Sequence, residues 1–63
     1  MWMTFYEKNK ILSCDNPIKT LDSNYYRKPS VGEKVVLDGI MYTVCEVVIN
    51  YDECQILIVV DIV

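Results

Sequence analysis

From Glu33 to Val44 the chain reads Glu-Lys-Val-Val-Leu-Asp-Gly-Ile-Met-Tyr-Thr-Val, two β-rich runs separated by Asp38-Gly39. Asp and Gly are residues that take positive φ at low cost. Two of them in succession meet the demand of a two-residue hairpin loop whose twist matches its flanking strands. Alternation then sets the faces. Val35 and Leu37 point inward with Lys34 and Asp38 outward, and Tyr42 and Val44 continue the inward register. The next inward residue is Val47, three positions on rather than two, so a bulge is expected near Cys45-Glu46. Pro29-Ser30-Val31-Gly32 forms the corner that enters this hairpin.

The remaining segments are read with the same grammar. Trp2–Tyr6 is aromatic and β-prone, Asn9 suits a turn, and residues 10–14 would return as the second strand of a first hairpin. Alternation chooses no face there, because Trp2, Thr4 and Tyr6 alternate with the equally bulky Met3 and Phe5. Residues 15–28 form an irregular linker. Asn16 before Pro17 resembles a helix start, and Ile18 and Leu21 would share one face of a single short helical turn. Asn50-Tyr51-Asp52-Glu53 makes the last turn.

Gln55 to Val63 then forms a long final strand. Ile56, Ile58, Val60 and Ile62 lie on one face, with Leu57, Val59 and Val63 on the other, interrupted only by Asp61. A strand half-buried in a small domain should alternate apolar with polar. Two apolar faces point either to self-association through Leu57, Val59 and Val63, or to a twist that tucks Leu57 or Val59 beneath the Ile18–Leu21 segment.

Length and charge narrow the function. A chain of 63 residues is one domain, residues 1–63. Domains of this size keep only roughly 3–5 kcal/mol of stability from a single core. Hydrophobic residues make up 52% of it, more than so small a body readily covers, which again favours a homo-oligomer. Nine acidic residues outnumber six basic ones and the net charge is −3. Nucleic-acid binders concentrate positive charge to neutralise phosphate, so even a gathering of Lys8, Lys10, Arg27, Lys28 and Lys34 would work against the balance.

Three cysteines, Cys14, Cys45 and Cys54, stand without histidine. They form no CxxC knuckle, so no metal site is assigned. No base stands ready to generate a thiolate, so no catalytic residue and no cofactor are assigned either. Each cysteine reads as a small buried hydrophobe, with Cys45 and Cys54 able to face one another across the last turn. The odd count and the absence of a leader-like start fit reduced thiols in a cytoplasm. No apolar run approaches the roughly 20 residues of a membrane helix. Tyr25, Tyr26 and Tyr51 fall in loops, the first two beside Arg27 and Lys28. Tyr and Arg are the residues that most often anchor protein interfaces, so these five are the candidate partner-binding set.

The order of elements runs from an opening Phe5-Tyr6-Glu7-Lys8-Asn9-Lys10 to a body of Val31-Gly32-Glu33 through Val44 and a hydrophobic last strand. It resembles small proteins encoded by phages and prophages of Gram-positive bacteria. That resemblance implies an all-β, small five-stranded SH3-like barrel with a short helical turn in the linker between strands 2 and 3. It also implies a non-enzymatic protein-binding module, a phage or prophage accessory protein that binds and modulates a host protein in the host cytoplasm. The competing readings are a small-barrel nucleic-acid-binding protein and a minor structural virion component.

Overall fold

The structure, a computed structural model, describes residues 1–9 and 17–63. It is all-β. Strands β1 (Trp2–Glu7), β2 (Lys19–Asp22), β3 (Lys34–Leu37), β4 (Ile40–Asn50) and β5 (Gln55–Ile62) form one sheet in the order β2-β1-β5-β4-β3. The sheet curls into a nearly closed barrel of a size that fits an SH3-like barrel.

The β3–β4 hairpin follows from its turn. Leu37 pairs with Ile40, and the two residues between them have φ of 51° at Asp38 and 84° at Gly39. Both values are positive, which is the type I′ geometry the Asp-Gly pair supplies. The expected bulge is present as a register shift between Val44 and Glu46. A further irregularity lies upstream. Val44 N–H donates to Glu33 O at 2.8 Å, while Gly32 N–H donates to Val44 O at 2.9 Å. Two residues thus face one, and Gly32 at φ 92° is the residue type that allows it.

Strand β5 sits in the interior of the sheet. It runs parallel to β1, from Trp2↔Gln55 to Glu7↔Val60, and antiparallel to β4. Parallel pairing goes with strands that are apolar on both faces, which suits a strand reading Ile-Leu-Ile-Val-Val. Met3, Phe5, Leu37, Tyr42, Val44, Ile56, Ile58 and Val60 form the core cluster, with Val35, Val47 and Leu21 packed against it.

Several expectations are corrected. The return strand expected over residues 10–14 lies outside the described residues; among the described strands β1 is flanked by β2 and β5. Lys19–Asp22 is a strand, not a helical turn. Pairing along β1 satisfies its backbone, beginning with Ile18 N–H to Phe5 O at 2.7 Å, and lets Leu21 reach the core. A lone turn offers neither gain. A hydrogen-bonded turn follows, where Asp22 O accepts from Tyr25 N–H at 3.0 Å and Tyr26 N–H at 3.1 Å. Ile62, assigned to the inner face, is exposed because the strand runs out at the barrel end. Among the described residues, no helix is long and apolar enough to cross a membrane.

Candidate partner-binding site

One row of residues organises the aromatic surface. Asp22, Trp2, Gln55 and Asn50 are successive register partners across β2, β1, β5 and β4. The turns that follow Asp22 and Asn50 therefore leave the barrel at the same end. Tyr25 and Tyr26 stand in the first turn, and Tyr51 in the second. Their exposures are 82%, 54% and 76%, and Trp2, in the row itself, is 54% exposed. Large aromatic surface is thus left in water at one end of a small barrel, and rings of this kind offer much contact area. Sequence reasoning missed Trp2, because its alternation partners were as apolar as itself. The signal that separates them is burial of the Met3/Phe5 parity.

Around the side of the barrel lies a gap. Strands β2 and β3 end the sheet order and do not pair with one another. Between them a cavity of about 320 Å³ opens, with Met3 and Phe5 at its floor, Leu21 and Val35 in its walls, and Tyr26 and Pro29 among its lining residues. At the far end of the seam Lys19 Nζ meets Asp38 Oδ1 at 3.1 Å, both exposed. An exposed pair of this kind adds at most about 1 kcal/mol, so it tethers the seam without sealing it.

Arg27 and Glu33 hold the loop beside this gap. Arg27 donates from Nη1 to Glu33 Oε1 at 3.1 Å and from Nη2 to Oε2 at 2.7 Å, a bidentate fork. Ser30 N–H adds a third hydrogen bond to Oε1 at 2.6 Å. These bonds, Arg27 first and then the Ser30 amide, lower the Glu33 carboxyl to about 2. Arg27 thus enters the site already engaged, as a clamp that fixes the course of residues 27–33. Within that stretch Pro29 is buried, while Lys28 is exposed.

The proposed self-association residues share one parity along β5 and just past its end, but differ in exposure. Leu57 is half-buried and lines a smaller hollow of about 160 Å³ with Thr4, Tyr6 and Val48. Val59 is only 5% exposed, whereas Val63 is 63% exposed at the chain end. The cysteines also separate. Cys45 is half-buried at the β4 bulge, and Cys54, at φ 54°, is exposed at the end of the β4–β5 turn rather than buried. Both are free thiols, and the register keeps them from facing one another. Cys14 lies outside the described residues. Among the described residues no three His, Cys, Asp or Glu side chains converge as a metal set.

No protein-family model, curated protein or solved structure matches the chain. The function must therefore be argued from the surface itself.

Proposed function

We propose that this chain is a non-enzymatic protein-binding module that takes an extended segment of a partner protein. The segment lies across the end formed by Trp2, Tyr25, Tyr26 and Tyr51 and sets an apolar side chain into the β2–β3 cavity. The observation that carries this reading is the cavity itself, open to the core and flanked by two strands that, among the described residues, have no neighbour on that side. Unpaired strand edges present N–H and C=O groups in the spacing of an extended backbone. Main-chain pairing would supply affinity and the cavity a preference for one buried side chain. The Arg27–Glu33 clamp keeps Tyr26 and Pro29 in place beforehand, which lowers the ordering cost of binding. The resemblance to phage and prophage proteins extends this reading to a host protein as the partner, and that extension rests on resemblance alone.

The test is selection of binders from a random-peptide library, followed by nuclear magnetic resonance mapping of the selected peptides. Shifts concentrated at Leu21, Tyr25, Tyr26 and Val35, with at least tenfold weaker binding by Tyr26→Ala, are expected; hot-spot aromatics commonly cost 2 kcal/mol or more on truncation. Peptides that map to another face overturn the reading. So does salt-sensitive binding of single-stranded oligonucleotides at the same aromatics without peptide binding.

A further inference from the structure

The outward face of β3, β4 and the end of β5 carries two adjacent rows. Val36 is the register partner of Met41. Val63 extends the pairing of Ile62 with Tyr42 by donating its N–H to Met41 O at 3.2 Å. Val36, Met41 and Val63 thus form a row across three strands, and they are 62%, 48% and 63% exposed. Two residues along each strand, on the same face, lies the second row, Lys34, Thr43 and Asp61. One row is apolar throughout. The other is positive at β3 and negative at β5.

We propose that this face is a two-fold interface between copies of this chain, with Met41 on the axis and Lys34 of one copy against Asp61 of the other. An axis lying in the contact plane along β4 carries β3 onto β5 of the second copy and β4 onto β4. Val36 then covers Val63, Met41 meets Met41, and Lys34 faces Asp61. The same rotation forms the pairing twice, as isologous symmetry requires. The strands of the two sheets stay nearly aligned, the commoner arrangement for sheets packed face to face.

The charge pattern is what selects a second copy as the occupant. An unrelated apolar partner would cover the first row equally well, but it gives no reason for the second to be opposite in sign at its two ends. Asp61 is held ready on this face, where its Oδ1 accepts the Ile62 N–H at 3.0 Å. Methionine at the axis adapts its shape to its own copy. The patch is small by the standard of stable interfaces, so association is concentration-dependent and weakens with salt. It shares Val36 with the lining of the β2–β3 cavity but none of the aromatic residues of the partner site, and the mass of the Met41 and charge variants is read without any peptide, so each proposal can fail without the other.

Sedimentation equilibrium on the full chain tests it. The 7.4 kDa chain should approach twice that mass as concentration rises. Lys34→Asp places like charges at both contacts, and Asp61→Lys does the same with the opposite sign, so each variant alone should remain a single copy. Mixed one to one, the two variants offer complementary rows to each other and should restore a dimer. Met41→Lys should abolish association while leaving the far-ultraviolet circular dichroism unchanged. A wild-type chain that stays at one copy throughout overturns the proposal. So does a dimer indifferent to Met41→Lys, or a mixture of the two charge variants that gains nothing over either alone.

Discussion

Val59 in β5 and Val63, one residue past its end, share the same outward parity, yet one is 5% and the other 63% exposed. Replacing each by threonine keeps the shape almost constant, so neither cavity nor overpacking enters the comparison. At Val59 the substitution removes a buried methyl, about 0.8 kcal/mol. It also leaves a hydroxyl with its hydration stripped away, about 1–3 kcal/mol unless it finds a partner. The sum, roughly 2–4 kcal/mol, is comparable with the whole margin of roughly 3–5 kcal/mol for a domain of this length. Each kcal/mol shifts the melting temperature of so small a domain by about 4–8 °C. Val59→Thr should therefore lower it by more than about 8 °C, whereas Val63→Thr should stay within about 0.5 kcal/mol of wild type. Thermal melts at low micromolar concentration keep self-association out of the measurement. If the two variants melt together, or if the effect of Val59→Thr disappears on dilution, then Val59 is not covered within a single copy and the reasoning fails.

Acid should release the loop clamp. The Glu33 carboxyl lies at about 2 in the folded chain, below its unfolded value near 4.3. A depressed carboxyl contributes stability that is present in full above the unfolded value and fades as the pH falls towards the folded one. Wild type should thus lose stability relative to Glu33→Gln between about pH 4.3 and about pH 2. A resonance titration placing the Glu33 carboxyl near 4.3 would refute this. Gly39→Ala meets no atom within 4 Å, so its cost is set by φ of 84° alone. About 1–2 kcal/mol is expected for a side chain in that region, read as a lower urea midpoint with unchanged slope. A neutral result would mean the turn relaxes out of type I′.

Much of the barrel was legible where local chemistry and tertiary packing agree. Asp38-Gly39, the Val35/Leu37 and Tyr42/Val44 register and the bulge after Val44 are written in neighbouring residues, and the structure keeps all of them. What was not legible depends on pairing over long separations. Nothing near Trp2 announces that β1 will run parallel to β5 from the opposite end of the chain. Nor does Ile18-Lys19-Thr20-Leu21 reveal that an edge of β1 awaits it. The spacing of Ile18 and Leu21 suits a turn as well as it suits a strand, and the partner decides. For the candidate site, the tyrosines were visible as loop aromatics. The seam beside them was not, since it exists only because β2 and β3 come together at the two ends of one sheet.

That same arrangement explains how so apolar a chain limits backbone-driven association. An unpaired strand edge is a template for another chain, and the hazard grows with its length and hydrophobicity. Here β5, of 8 residues, lies between β1 and β4, while β4, of 11, has β5 beside nearly all of its length and β3 beside Ile40–Thr43. The two ends of the sheet order are β2 and β3, of 4 residues each. Lys19 and Asp22 bound the first and Lys34 opens the second, which are the charges natural edge strands use to discourage pairing. Curling the sheet turns these two edges towards one seam, whose cavity is lined in part by Tyr26. The apolar residues that remain outside, Val36, Met41 and Val63, lie flat on a sheet face rather than along an edge. In the proposed two-fold arrangement contact there is bounded by symmetry at two copies, because a face related to itself by a two-fold axis closes on one partner.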